Sequence, residues 1–289
     1  MKNLLVCIDI GGTSMKAGVC DMEGRITGQE ILPIHQEFAA LMKEIQAFVK
    51  KSERKGRILG IAVSAPGAVD VSTGVIGGKS AVSGIHGPAW IEELQKCFGL
   101  PASIENDANC AALAELADGT AKGCKSMAFL VIGTGVGGSI IINNQIWHGA
   151  HLYGGEFGFM IIDGKQLSDL ASPVTMAKRY NKKTGKDFDG KTVFELADTD
   201  DPIAQEERKK FLHALAVAIF NIQHSFDPEK IIIGGGISQN PELVPLLDDE
   251  IAKLRNKIEV TTIKPLLDIC TLKNEANLRG AVADFEKEH

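Results

Sequence analysis

The chain has 289 residues, of which 44% are hydrophobic and 24% are charged, and its formal net charge is −6. This length favours two domains over one small core, and the composition is that of an ordinary soluble globular protein. No basic run or stripe is present, which argues against a nucleic-acid partner, and no apolar run is long enough to span a bilayer.

The cysteines and the N-terminal residues indicate a cytoplasmic protein. The six cysteines include no C-x-x-C pair, so neither a zinc ribbon nor a redox motif is predicted. The chain reaches Asp9 too soon for the apolar region of a signal peptide. We therefore expect a reduced protein with buried thiols and no membrane partner.

Apolar periodicity and glycine turns predict an alternation of strands and helices. In the first half, the predicted strands are residues 4–10, 15–20, 25–32, 58–64 and 102–105, and the predicted helices are 37–51, 90–98 and 107–117. In the second half, the predicted strands are 127–132, 140–142, 146–147 and 231–233, and the predicted helices include 203–226 and 275–287. The remainder of the second half is predicted to be helical.

The order strand, glycine–threonine turn, strand, turn, strand occurs twice, about one domain length apart. We interpret this repeat as an internal duplication that gives two lobes. The predicted N-terminal lobe is residues 1–118, with the helix of 275–289 packing back onto it. The predicted C-terminal lobe is residues 119–274.

The first glycine turn lies in the run Asp9-Ile10-Gly11-Gly12-Thr13-Ser14-Met15-Lys16. Two glycines let backbone amides approach phosphate oxygens closely, and Thr13 and Ser14 add hydroxyl donors. A carboxylate at the end of a buried strand is well placed to face a metal–phosphate complex. The alternative is that Asp9 only caps its own turn.

The second glycine turn is Gly133-Thr134-Gly135, which Gly137 follows after one residue. No lysine follows, so it is not the G-x-x-x-x-G-K-[ST] loop, and it opens no helix, so the dinucleotide fingerprint does not fit. Alone it is a weak motif. Paired with the first turn in the equivalent position, it predicts two hairpins that hold the β- and γ-phosphates of ATP from both sides of a cleft.

A third motif, Gly234-Gly235-Gly236, follows the predicted strand 231–233. A turn without side chains lets a nucleotide base or ribose lie against the backbone, and Gly235 is its central residue. The alternative is a strand-to-helix turn with nothing bound. Three consecutive glycines cost conformational entropy, which favours the binding role.

The fourth motif is Glu105-Asn106-Asp107-Ala108-Asn109, where a short strand gives way to a helix. Either Asn106 or Asp107 could be the N-cap of this helix. Because a helix needs only one cap, the residue of this pair that is not the cap can have a different role. A carboxylate here could take the proton of a sugar hydroxyl as that hydroxyl attacks the γ-phosphorus of ATP.

These four motifs, in their order along the chain, resemble those of the ROK family of sugar kinases and sugar-responsive repressors, and the match runs from Ile8 to about Gly280. The pattern G-x-x-x-x-x-P-G from Gly60 to Gly67 also occurs in family order. The resemblance implies an α/β, duplicated ribonuclease-H-like (actin/hexokinase-like) fold with two lobes and a cleft between them. It also implies ATP and Mg²⁺ as cofactors, and a homodimer is a family expectation.

The resemblance implies roles for particular residues. Asp107 is expected to be the catalytic base, and Asp9 to position Mg²⁺ through water. The residues expected to bind the sugar are Gly67, Asn106, Asp107 and Glu156. The residues expected to bind the nucleotide are Asp9, Gly11, Gly12, Thr13, Lys16, Gly133, Thr134, Gly135, Gly137 and Gly235.

One region departs from the family pattern. The family places a zinc-binding histidine where this chain has Phe159, and residues 160–175 contain no cysteine, so no zinc site is expected. Ser168 stands where the family has a glutamate near the anomeric end of the sugar. This combination resembles a zinc-less branch that includes β-glucoside kinases. Phe159 and Ser168 are then expected to line the sugar site, unless Phe159 only fills the space left by zinc.

We therefore expect an ATP-dependent kinase for the 6-hydroxyl of a hexose or a β-glucoside. A glucokinase or a kinase of N-acetylated amino sugars is the alternative within the family. A repressor would need a DNA-binding segment ahead of the first turn, and only eight residues precede Asp9. Asp107 and the two glycine turns argue against a non-catalytic sugar-binding module, and an actin-like filament or chaperone ATPase would have no use for the sugar motifs.

Overall fold

The structure, a computed structural model, describes residues 2–257 and 262–289. It divides into two compact units. The first unit comprises Met1–Gly119, Gly149–Tyr153 and Asn274–His289, and the second comprises Thr120–His148 and Gly154–Lys273. None of the described helices combines the length and the apolarity needed to cross a membrane.

The described residues form strands and helices in alternation. The strands are β1 (Asn3–Ile10), β2 (Ser14–Asp21), β3 (Ile26–Pro33), β4 (Arg57–Ala65), β5 (Ala68–Val69), β6 (Ile76–Gly77), β7 (Ala102–Asn106), β8 (Met127–Ile132), β9 (Val136–Ile142), β10 (Gln145–Ile146), β11 (Ile161–Ile162), β12 (Lys165–Gln166), β13 (Lys230–Gly234) and β14 (Leu267–Ile269). The helices are α1 (Phe38–Ser52), α2 (Trp90–Phe98), α3 (Asp107–Ala117), α4 (Leu167–Leu170), α5 (Pro173–Thr184), α6 (Gly190–Leu196), α7 (Pro202–Phe226), α8 (Leu243–Arg255) and α9 (Ala276–Glu288).

Every strand and helix predicted for the first half is present. In the second half, the segment predicted to be wholly helical also contains β11, β12 and β14, so that expectation is wrong in these places. Strands of two or three residues carry too little alternation to be recognised in a sequence. Asn143 and Asn144 form the turn that joins β9 to β10, and both residues have positive φ.

The two sheets have the same topology. In the first unit the strand order is β3-β2-β1-β4-β7, and in the second it is β10-β9-β8-β13-β14. In each sheet the first three strands of the unit form an antiparallel meander, and the remaining two strands run parallel to the first. This shared order and direction confirms the predicted duplicated α/β fold.

The central strand β1 of the first sheet is buried on both faces. Val6 and Ile8 of β1 belong to a core that includes residues of α1 and α2. The alternate residues Leu5 and Cys7 pack in a second core with residues of α9. Because successive side chains of a strand point to opposite faces, a strand covered on both sides reads as a nearly continuous apolar run, as Leu4 to Ile8 do here.

The close packing of α9 on α3 depends on Gly280. A Cβ atom there would lie 1.7 Å from the carbonyl oxygen of Cys110 in α3. Only glycine permits this separation, so α9 is held directly against the helix that begins at Asp107. The packing of α9 on α3 thus involves a specific backbone contact.

The six cysteines are free thiols. Cys7, Cys20 and Cys110 are buried, and burial raises the pKa of the Cys20 thiol to about 11. Cys97 is exposed, so the expectation that the thiols are buried is wrong for this residue. Cys97 lies in the last turn of α2, beyond the core-facing Trp90.

The core of the second unit forms between its sheet and the helices α4 to α8. The long helix α7 contributes Phe211, Leu215, Ile219 and Ile222, which recur at intervals of three or four residues and are buried. This spacing places them on one face of the helix, where they pack with the strands β8 and β13 in one cluster.

Candidate active site

Three parallel strands of the first unit end at one edge of their sheet. The register pairs Asp9 of β1 with Ser64 of β4, and Ser64 with Glu105 of β7. The carboxyl ends of parallel strands are the usual place for a ligand site in α/β proteins. The register therefore places the predicted residues Asp9 and Asn106 at this edge, and Gly67 follows two residues after the end of β4.

Asp9 is held by two other segments of the chain. The side chain is only 7% exposed, and its Oδ1 accepts hydrogen bonds from Ser64 Oγ and Asn277 Nδ2, both at 2.9 Å. The Lys16 ammonium lies 4.0 Å from the other carboxylate oxygen, Oδ2. Within the described ranges Asp9 accepts no bond from its own turn, where Gly11 N–H donates instead to Ser14 O. These contacts fix the orientation of the carboxylate.

The junction between β7 and α3 resolves which residue caps the helix. The Asn106 side-chain oxygen accepts from the backbone N–H groups of Ala108 at 2.9 Å and Asn109 at 3.1 Å, so Asn106 is the N-cap. Asp107 is the first residue of α3, is half-buried, and its Oδ1 accepts from Ala108 N–H at 2.8 Å. A negative charge at a helix N-terminus is stabilised by the helix dipole.

Two further contacts fix this junction. The Asn106 amide nitrogen donates to Gly67 O at 2.9 Å, which ties the predicted sugar residues together. The buried carboxylate of Glu105 accepts from Asn106 N–H at 2.6 Å and from Asn109 Nδ2 at 2.9 Å. Gly67 has φ +107°, and a Cβ there would lie 2.8 Å from Ile76 Cγ2, so this position requires glycine.

The second glycine turn occupies the equivalent place in the second unit, between β8 and β9. It is closed by a bond from Gly133 N–H to Gly135 O at 2.9 Å. A Cβ atom at Gly133 or at Gly137 would meet no described atom within 4 Å. These glycines therefore leave open space beside the backbone, which suits the close approach of a phosphate group.

The second unit contains a cavity of about 590 Å³, a volume typical of a small-molecule site. Its lining includes Gly133 of the second turn and Gly236 of the third motif, so the structure brings these two motifs together. The other lining residues are Ile132, Pro173, Val174, Gly190, Lys191, Phe194, Glu195, Asp198, Ile237, Gln239, Asn240, Pro241 and Glu242.

Gly235 makes the meeting of these motifs possible. Its φ is +87°, and a Cβ there would lie 2.2 Å from Ile132 O, so the ends of β8 and β13 approach each other only with glycine. The walls that α5 and α6 supply, such as Val174 and Phe194, could not be predicted from the sequence. A valine and a phenylalanine in predicted helices are indistinguishable from core residues.

The predicted sugar residues of the second unit lie in three places. Glu156 is half-buried, and burial raises the pKa of its carboxyl group. Phe159 is 57% exposed. Ser168 lies in α4, where its hydroxyl accepts from Val136 N–H at 3.0 Å, directly after the second glycine turn.

Comparison with known proteins identifies the family. The ROK family model matches residues 5–288. A β-glucoside kinase from Listeria innocua is 33% identical, with 98% of both chains covered. Two solved structures are similar. A ROK family protein from Streptococcus pneumoniae TIGR4 in complex with sucrose is 35% identical, with a TM-score of 0.89 over 99% of this chain and 98% of that one. A ROK family glucokinase from Streptomyces griseus in complex with glucose and AMPPNP is 25% identical, with a TM-score of 0.77 over 99% of this chain and 100% of that one. The chain therefore belongs to the ROK family.

Proposed function

We propose that this chain, a ROK family sugar kinase that uses ATP, phosphorylates the 6-hydroxyl of a β-glucoside or a hexose with Asp107 as its general base. Its relatives act as β-glucoside kinases and glucokinases, which supports the sugar kinase activity. The observation that carries the assignment of the base is the position of Asp107 at the start of α3, next to the capping residue Asn106, which itself donates to the Gly67 carbonyl.

In this proposal the Asp107 carboxylate takes the proton of the sugar 6-hydroxyl. The hydroxyl oxygen then forms a bond to the γ-phosphorus of ATP, and the bond from that phosphorus to the bridging oxygen of ADP breaks. Asn106, held by Gly67 and by the helix it caps, has the rigidity needed to orient the sugar. Glu156 is the sugar-binding carboxylate that the second unit contributes.

The nucleotide is proposed to bind the cavity of the second unit, with its phosphates at the second glycine turn. The open space beside Gly133 and Gly137 supports this placement. The remaining residues proposed to bind the nucleotide are Gly11, Gly12, Thr13, Lys16, Thr134, Gly135 and Gly235. Carboxylate oxygens suit Mg²⁺, which Asp9 would hold through water. When bound, Mg²⁺ neutralises charge on the transferred phosphoryl group.

A preference for β-glucosides is supported by two departures from the family pattern. A glycoside has no hydrogen to donate from its substituted anomeric oxygen, so a buried glutamate at that end would be left unpaired, at a cost of about 1–3 kcal/mol. Ser168 replaces that glutamate, and the exposed Phe159 ring offers an apolar face to a sugar or aglycone. Phe159 and the absence of cysteine from residues 160–175 also support the proposal that no zinc is bound.

The test is kcat/KM for cellobiose, an aryl β-glucoside, glucose and N-acetylmannosamine in a coupled ADP-release assay. We expect at least one glycoside to be used as well as glucose. Nuclear magnetic resonance of the product should place the phosphate on the 6-hydroxyl of the glucosyl unit. Turnover of free glucose with none of either glycoside would instead identify a glucokinase. We further propose that the enzyme is cytoplasmic, and a homodimer is the prediction for its assembly.

A further inference from the structure

Two serines make hydrogen bonds to the backbone of the second glycine turn and of the residue that follows it. Ser172 is fully buried, and its Oγ lies 2.9 Å from Gly133 O and 2.7 Å from Thr134 O, so its single proton is shared between these carbonyls. Ser168 Oγ accepts from Val136 N–H at 3.0 Å. We call Ser168 and Ser172 the serine clamp.

The clamp determines where the amide groups of the turn point. In a trans peptide unit the C=O and the following N–H point in opposite directions. Because Ser172 binds the carbonyls of Gly133 and Thr134, the N–H groups of Thr134 and Gly135 face away from it. Neither N–H donates to any acceptor within residues 2–257 and 262–289. Two successive free N–H groups with one orientation form a concave site for an anion.

The segment that bears the clamp is itself anchored. The Arg179 guanidinium donates to the carbonyl oxygens of Asp169 and Leu170, at the end of α4 between the two serines. Its Nε donates at 2.6 Å to Glu207, a fully buried carboxylate of α7 that Lys183 also contacts at 2.8 Å. The clamp is thus fixed to the long core helix rather than to an exposed loop.

We propose that Ser168 and Ser172 are positioning residues for the phosphoryl donor: they set the second glycine turn so that its free N–H groups face the nucleotide phosphates. This inference rests on the proposed nucleotide site. The Ser168 hydroxyl thereby has a role at the second turn, and the small size of this residue separately leaves space at the sugar end.

The experiment compares Ser172→Ala, Ser172→Thr and Ser168→Ala. For Ser172→Ala we expect the KM for ATP to rise about tenfold, as for the loss of one to two buried hydrogen bonds, while the KM for glucose changes less than about twofold. Ser172→Thr keeps the hydroxyl and the helix cap and should restore the KM for ATP. Ser168→Ala, at a half-buried position, should give a smaller change in the same direction.

The matched control is Ser139→Ala in β9. Ser139 is buried in the same unit, and its hydroxyl makes no hydrogen bond within the described part of the chain. Its loss should leave both KM values unchanged. If Ser172→Ala is folded by its melting temperature but binds ATP normally, or if Ser139→Ala has the same effect as Ser172→Ala, the clamp has no positioning role.

A variant that obstructs the proposed nucleotide site directly distinguishes failure of the clamp proposal from failure of the proposed nucleotide site. Gly133→Leu places a side chain in open space at the cavity lining, so the protein should fold and lose ATP binding. If Gly133→Leu weakens ATP binding and Ser172→Ala does not, only the clamp is overturned. If neither variant affects ATP binding, the nucleotide site is wrong, and the clamp with it.

Discussion

Replacement of Asp107 by asparagine should remove turnover while the fold and sugar binding persist. Asparagine keeps a side-chain oxygen that can accept from Ala108 N–H, the bond that the carboxylate makes at 2.8 Å. The loss of a negative charge at the start of α3 should cost about 0.3–1 kcal/mol of stability through the helix dipole. For a domain of this size that corresponds to a melting temperature lower by at most about 4 °C.

The effect on the rate should be much larger than the effect on stability. The loss of a general base lowers the rate by about 10²–10⁴, which is about 2.7–5.4 kcal/mol of transition-state stabilisation. We expect kcat in the ADP-release assay to fall by this factor. Titration calorimetry should give a sugar affinity within a few-fold of that of the unmodified protein, because asparagine can still hydrogen-bond a hydroxyl group.

Asp118→Asn is the matched control, since it makes the same chemical change at the other end of α3. Asp118 is exposed and lies 3.9 Å from Arg279, an ion pair of the kind that contributes little. The kcat of the Asp118→Asn variant should equal that of the unmodified protein. A kcat near normal for Asp107→Asn would remove Asp107 from the mechanism, and an equal loss in Asp118→Asn would show that the helix, not the base, had been perturbed.

Three other outcomes are expected. Because burial raises the pKa of Glu156, its carboxylate should be protonated at a higher pH than an ordinary glutamate, so the KM for sugar should rise as the pH falls through that raised pKa. Glu156→Gln should abolish this pH dependence of the KM. The folded state binds the Glu156 proton more tightly than the unfolded chain does, so the substitution should stabilise the protein above the raised pKa but not at low pH. The same rise of the sugar KM at low pH in both proteins would contradict this. Gly280→Ala should lower the free energy of unfolding by about 3 kcal/mol in urea denaturation, owing to the clash with Cys110 O, whereas Gly77→Ala, which meets its nearest atom at 3.5 Å, should change it little; equal stabilities would refute the contact. Elemental analysis after chelator washing should show no stoichiometric zinc, and one zinc per chain would refute the interpretation of Phe159.

The duplicated fold could be predicted from the sequence because its signals are local. A strand buried on both faces reads as a continuous apolar run, and a tight turn needs glycine wherever it occurs in the chain. The repeat of these signals at Gly11 and Gly133 was enough to predict an internal duplication, which the matching strand orders of the two sheets confirm. The helix start at Asn106 was also predictable, although the sequence left open which of two residues was the cap.

What the sequence could not show are the contacts between segments far apart in the chain. Asn277 bonds to Asp9 across 268 positions, and Ser172 bonds to Gly133 across 39. An asparagine or a serine in a predicted helix resembles any surface residue, because its partner is set by packing and not by its neighbours. Local periodicity therefore determined the elements and their turns, while only the tertiary structure decided which polar groups hold those turns in place.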